Sequence, residues 1–145
     1  MNLTTPVEFP VAFSRMTHAD ELLLMGSCFA THIGRLLNDA KFRCDVNPYG
    51  VLYNPASIST ALREIMAGKT YSKDDLFFYG DCWHSAMHHG DFSSSGIEET
   101  LFRINDRINQ AHQRVDSLHY LLITFGTAWV YEQKDNGNIA SNCHK

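Results

Sequence analysis

Ser27 stands where chemistry and chain geometry meet. It follows the apolar run Leu22-Leu23-Leu24-Met25 and opens a helical pattern within Gly26-Ser27-Cys28-Phe29-Ala30. A serine between a strand end and a helix start lies among unpaired backbone N–H groups at the positive end of a helix dipole. A developing oxyanion is stabilised there, which suits a serine nucleophile; the plainer alternative is that Ser27 only caps the helix. Cys28 and His32, four residues apart on that helix, offer a thiol–imidazole pair, against the alternative of a small buried thiol beside a solvated histidine. His84, His88, His89 and Asp91 fall within eight residues. The His84–His88 spacing would place two metal ligands on one helix face, but Gly90 and the surrounding serines and aromatics oppose a helix. Trp83, His88 and His89 are therefore read as lining a substrate cleft, with a surface loop of solvated imidazoles as the alternative, and neither metal nor cofactor is assigned. Trp83, Trp129 and Tyr131 could stack on a sugar ring or simply pack at the core or rim. His144, after Asn142-Cys143, either touches the cleft or belongs to an ordered hairpin.

These residues need elements to hold them. After an irregular lead-in over residues 1–20, the pattern predicts a strand over 21–26 and a helix over 28–39. Phe29, Ile33, Leu36 and Leu37 form the apolar face of that helix. Phe42 to Val46 reads as a second strand, closing a β-α-β unit whose strands run parallel. Asn47-Pro48-Tyr49-Gly50-Val51-Leu52-Tyr53-Asn54-Pro55 is a tightly specified loop. Asn54 caps the next helix, Pro55 takes its first position, Ile58, Leu62, Ile65 and Met66 form its stripe, and Gly68 ends it. Ser72 to Asp75 reads as a capped turn, and 76–92 as loop with at most one short strand. Ser95-Gly96-Ile97-Glu98 reads as a capping box opening the longest helix, striped by Ile97, Leu101, Ile104, Ile108, Ala111 and Val115. Leu118 to Phe125 reads as a buried central strand ending at Gly126-Thr127. Asp135-Asn136-Gly137 marks a hairpin between 128–132 and 138–142. In a parallel sheet the loops after the strands gather at one edge, where ligands bind.

The 145 residues make one modest domain, spanning 1–145, and 44% hydrophobic against 19% charged residues suits a globular core. The net charge of −4 is spread over interleaved acids and bases. That excludes a basic nucleic-acid face and a polybasic membrane anchor, and no apolar run is long enough to span a bilayer. The N-terminus lacks the features of a secretory signal, and four scattered cysteines read as reduced thiols, so a cytoplasmic placement is expected. The fold class expected is α/β, three-layer α/β/α with a mostly parallel sheet. Three parallel strands and three helices are thin for such a domain. The expectation is a partial domain whose sheet is covered by a missing C-terminal half or by self-association.

Gly26-Ser27-Cys28-Phe29-Ala30 resembles the motif after which the GSCFA family is named, and the likeness continues. Asn47 to Pro55 is similar to the family's second block. Trp83-His84-Ser85, His88-His89 and Phe92-Ser93 resemble its third, Ile123 to Tyr131 its fourth and Asn142-Cys143-His144-Lys145 its fifth. The family in turn resembles the SGNH (GDSL-like) hydrolases, which have a three-layer α/β/α fold. That resemblance implies Ser27 as the nucleophile, with its own N–H in the oxyanion hole, and Gly50 as a second N–H donor. The third donor of the superfamily is an asparagine in Gly-x-Asn-Asp, where this chain has Gly126-Thr127-Ala128-Trp129. Thr127, or Asn142 reaching in from the hairpin, would take its place. The base implied by the resemblance comes from a late Asp-x-x-His segment, which does not occur before Lys145. The expectation is a fragment with little activity alone, and His88, His89 and His144 are the local candidates for a base.

The function expected is therefore a serine esterase, acyl hydrolase or acyltransferase acting on an ester, with an acylated carbohydrate as the candidate substrate. Two alternatives remain open. One is a non-catalytic glycan-binding module that keeps the cleft. The other is a metal-dependent hydrolase built on His84, His88 and His89.

Overall fold

The computed structural model describes residues 5, 15–134 and 136–141. The order of elements is β1 (Glu21–Gly26), α1 (Cys28–Asp39), β2 (Arg43–Val46), α2 (Pro55–Ala67), β3 (Leu76–Tyr79), β4 (Cys82–Ser85), α3 (Ile97–Val115), β5 (Leu118–Thr124), β6 (Tyr131–Glu132) and β7 (Ile139–Ala140). The main sheet runs β2-β1-β5, with both pairings parallel.

The apolar run of β1 reflects its place between two strands and two helical layers, since a parallel strand covered on both faces has no polar side to show. Leu22 and Leu24 pack with Ala30, Ile33 and Leu37 of α1. Leu23 and Met25, on the alternate face, pack with Ile58 and Ile65 of α2 and with Ile104, Ile108 and Ala111 of α3. The fold is thus α/β, with α1 on one side of the sheet and α2 and α3 on the other. Asp45 of β2 is buried and ion-paired with Arg107 of α3, whose guanidinium also reaches the Val46 carbonyl, so the sheet and the outer helix are tied by charge as well as by packing.

Helix ends follow local chemistry. Asn54 accepts the Ser57 N–H at 2.8 Å ahead of Pro55, and Gly68 closes α2. Ser72 donates from both its N–H and its hydroxyl to Asp75, fixing a 3-10 turn over Lys73–Asp75. The entry of α3 departs from the predicted capping box. Gly96 is its N-cap, while Ser94 accepts the Gly96 N–H and donates to Glu99. Ser95 makes no cap because the turn is closed one residue earlier.

Other expectations are corrected. Residues 76–85 are not loop but an antiparallel hairpin of β3 and β4 with cross-strand pairs Phe78–Trp83 and Phe77–His84, and a 3-10 turn follows at Gly90–Phe92. Strand β5 is not central among the described residues. It lies at the sheet edge, and Leu121 and Ile123 are 43% and 37% exposed on the face that α2 and α3 cover under β1. Phe29 and Leu36 point outward rather than into the core, because Ala30 and Gly34 occupy the tight contact of α1 with the sheet; Met66 is likewise exposed, the buried face of α2 being Ser57, Ile58, Ala61 and Ile65. The predicted hairpin forms, with Tyr131 opposite Ala140. Ser141 ties it back through an N–H to the Ala86 carbonyl at 2.8 Å. Among the described residues no helix is long and apolar enough to cross a membrane.

Candidate active site

Because β1, β2 and β5 run in one direction, the three segments that follow them gather on one rim. Ser27 follows β1, the loop 47–54 follows β2, and Phe125 to Thr127 follow β5. Ser27 is half-buried and caps α1, its hydroxyl accepting the Phe29 N–H at 3.2 Å. The capping alternative is therefore realised in the structure, and it leaves the hydroxyl at the rim.

Two residues that received no role in the sequence hold this turn. Asn47, at φ +44°, accepts the Gly26 N–H on Oδ1 at 2.8 Å. Its Nδ2 donates to Thr31 at 2.7 Å and its own N–H to the Leu24 carbonyl at 2.8 Å. Thr124, the last residue of β5, accepts the Ser27 N–H at 3.2 Å, and its hydroxyl oxygen lies 3.4 Å from that of Ser27. Gly26 permits this approach. At φ +140° a Cβ would sit 2.1 Å from the Thr124 carbonyl oxygen. An asparagine directly after a strand is a left-handed-turn signal, and a threonine closing an apolar strand is a polar break. Those were the available clues.

The candidate oxyanion donors are on this rim but already engaged. The Ser27 N–H donates to Thr124, and the Gly50 N–H donates to the Asn47 carbonyl at 2.8 Å. The Thr127 N–H donates to the Tyr53 carbonyl at 3.1 Å, beside the Gly126 N–H at 2.8 Å. The Thr127 hydroxyl accepts the Trp129 N–H at 3.1 Å and keeps its proton for another acceptor. Trp129 is 87% exposed. Asn142 and His144 lie outside the described residues.

The histidines separate. His88 is not a cleft residue. It is 1% exposed, stacked on Tyr49 with ring centroids 4.2 Å apart, edge-on to Tyr71 and Phe92, with Nδ1 2.9 Å from the Ser85 hydroxyl. An imidazole surrounded by three aromatic rings belongs to the core. His84 sits on β4, with Nδ1 2.7 Å from the Ser93 hydroxyl and Nε2 3.0 Å from the Tyr79 carbonyl. Trp83 packs on Phe78 and donates its N–H to the Ser94 carbonyl, so it braces the hairpin against the entry of α3. His89 reaches the rim loop from its exposed side, as His88 does from within the core. Its N–H donates to the Tyr49 carbonyl at 2.9 Å, and a Cβ on Gly50 would meet its Cβ at 2.3 Å. The metal alternative loses its ligand set, because no three His, Cys, Asp or Glu side chains converge among the described residues. Cys28 and His32 are both exposed, which corrects the buried-thiol expectation.

Beneath the rim, Tyr49 and Tyr71 both donate to Glu64 Oε2, at 2.9 and 2.8 Å, and Lys69 donates to Oε1 at 2.8 Å. Burial first, then the neighbouring Tyr71 phenol and Glu64 carboxylate, hold the Tyr49 hydroxyl far above its ordinary range; burial and Glu64 do the same to Tyr71. A cavity of about 690 Å³ opens beside this cluster, lined by Glu64, Lys69, Tyr71, Asp75, Ser85 and Asn138. Neither Ser27 nor Gly50 lines it, so it is separate from the serine rim.

A half-buried serine at the carboxyl end of the central strand, flanked by the loops after both neighbouring strands, puts the candidate site at the strand ends of an α/β fold, the edge where such sheets generally take ligands. The chain belongs to the GSCFA family, whose model matches residues 21–145. No curated protein and no solved structure matches it.

Proposed function

We propose that this chain is a serine acyl hydrolase or acyltransferase of the SGNH kind, acting on an ester such as an acylated carbohydrate. The observation that carries the reading is the assembly of Ser27, the Gly50 loop and the Gly126–Thr127 turn on one rim. In that reading the Ser27 hydroxyl attacks the ester carbonyl and forms an acyl-enzyme. The N–H groups of Ser27 and Gly50, with the Thr127 hydroxyl or Asn142, receive the oxyanion once the substrate oxygen replaces their internal partners. Trp129, two residues past Thr127 and 87% exposed, offers an aromatic face to a sugar ring. Free thiols at Cys28, Cys44 and Cys82 support a cytoplasmic placement, and the edge of β5, unpaired among the described residues, supports cover of the sheet by a further segment or a second copy.

The test is labelling with a fluorophosphonate, a reagent that reacts with activated serine hydroxyls. The expected result is one adduct that fragmentation maps to Ser27 and that Ser27→Ala abolishes. Equal labelling of both proteins would remove Ser27 from the mechanism.

One observation favours a second reading, a glycan-binding module without turnover. All three rim N–H groups are engaged internally. Calorimetric binding of a glycan with no adduct at Ser27 would decide for the module.

A further inference from the structure

We propose that the cavity between α2, β3 and the β6–β7 hairpin is a binding site for a neutral saccharide, separate from the serine rim and standing whether or not Ser27 attacks an ester. Its volume, about 690 Å³, is that of a small-ligand site. Thr60 and Glu64 of α2, Asp74 and Phe77 at the start of β3, and Gln133 and Asn138 of the hairpin line it. Ser141 fixes the hairpin wall in place. Its N–H donates to the Ala86 carbonyl at 2.8 Å and its hydroxyl to the Met87 sulfur at 3.2 Å.

The chemistry of the lining excludes other classes of ligand. An anion would meet the carboxylates of Glu64, Asp74 and Asp75 against the single ammonium of Lys69 among the described lining residues. That ammonium is already engaged: it donates to Glu64 at 2.8 Å, lies 3.7 Å from Asp75 and covers the Tyr71 ring at 4.0 Å. A divalent cation needs six or so oxygens. Here Glu64 is taken up by two phenols and Lys69, and Asp75 Oδ2 accepts twice from Ser72, which leaves too few. An apolar ligand would strip water from Thr60, Asp74, Gln133 and Asn138 and return no hydrogen bond. The side chains of Asp74, Gln133 and Asn138 bond to no other described residue, so they keep acceptors and donors for a ligand. The remaining class is a neutral molecule whose hydroxyls both donate and accept, with an apolar face for Phe77. That ring is 38% exposed and stacked on His84 across the β3–β4 hairpin. A sugar ring has both features, hydroxyls at its edge and C–H groups on its face.

The experiment titrates the ¹⁵N-labelled whole chain with millimolar cellobiose, maltose and diacetylchitobiose in turn, reading side-chain amide and indole signals by NMR. At least one disaccharide is expected to shift the side-chain amides of Gln133 and Asn138. Asp74→Ala and Asn138→Ala should each weaken that binding about tenfold. Both positions are exposed, so neither substitution disturbs the core, and an unchanged backbone spectrum away from the cavity checks this. Glucose 6-phosphate should leave the two amides unmoved. The proposal is overturned if no disaccharide shifts the amides, or if only the phosphate does. It is overturned equally if the Trp129 indole moves and the amides do not, which puts the sugar at the serine rim, or if both variants bind as wild type does. Failure of Ser27 to take the fluorophosphonate, by contrast, bears on the nucleophile and leaves this site standing.

Discussion

The hydroxyl oxygen of Thr124 lies 3.4 Å from that of Ser27 and accepts the Ser27 backbone N–H at 3.2 Å. The two residues are far apart in sequence and meet because β5 pairs with β1 in parallel, with Gly26 opposite Thr124. One side chain thus occupies the backbone donor assigned to the oxyanion in the proposed mechanism. It also tethers the serine turn to the edge strand.

Replacing Thr124 separates these effects. Thr124→Val keeps the shape and removes the acceptor, leaving a part-buried N–H without its partner. The expected loss is about 1–2 kcal/mol by urea denaturation. Thr124→Ser keeps the acceptor and should lose less than half of that. Equal stability of the valine variant and wild type would mean that water satisfies the Ser27 N–H as well as Thr124 does.

Asn47 has a larger expected effect, because it works through both backbone and side chain. Asn47→Ala removes the acceptor of the Gly26 N–H and the donor to Thr31, each worth about 1 kcal/mol. It also places a non-asparagine residue at φ +44°, at a further cost of about 1 kcal/mol. The sum is about 3 kcal/mol. Asn47→Gly loses the same hydrogen bonds without the backbone cost, so it should be about 1 kcal/mol more stable than Asn47→Ala. If the two variants denature at the same urea concentration, the left-handed backbone carries no strain.

The buried Tyr49–Glu64–Tyr71 cluster sets an alkaline limit on stability. Both phenols are held above their ordinary range, chiefly by burial, Tyr49 then by the Tyr71 phenol and both by the Glu64 carboxylate to which they donate. In the unfolded chain they ionise near pH 10, while the folded chain keeps their protons. The folded state then binds more protons, so stability is full below about pH 10 and falls as pH rises beyond it. A spectroscopic titration of the six tyrosines should show two that ionise only as the chain unfolds. Ionisation of all six in the folded state would refute the protonated cluster.

Local signals in the sequence carried the elements that local physics decides. The run 21–26 and the period of 28–39 gave the strand–turn–helix around Ser27. Asn54, Pro55 and Gly68 gave both ends of α2 through capping chemistry alone. What escaped was set by partners distant in sequence. His88 reads like any loop histidine until Tyr49, Tyr71 and Phe92 close around it. The apolar β5 reads as central because composition reports burial of one face, while sheet order depends on non-local pairing. Asn47 and Thr124 escaped for the same reason, since their side chains act on Gly26 and Ser27 across the rim.

Gly50→Ala tests the contact between the Asn-Pro loop and His89 most directly. Gly50 has φ +77°, and an added Cβ would stand 2.3 Å from the His89 Cβ and 3.4 Å from its Cα. Two penalties are therefore superimposed, a left-handed backbone worth about 1 kcal/mol and a clash that must push the histidine segment away from the loop. The combined loss is expected at about 2–4 kcal/mol in urea denaturation. Adding His89→Gly removes the Cβ that is struck and leaves the backbone penalty in place. The double variant should therefore recover more than half of the stability lost by Gly50→Ala, although His89→Gly alone destabilises through added chain freedom by about 0.5–1 kcal/mol. Such non-additivity marks residues in contact or coupled through a shared network or backbone shift, and independent distant sites do not show it. Additive losses would mean that the two segments do not meet in solution, which would separate His89 from the rim that carries Ser27.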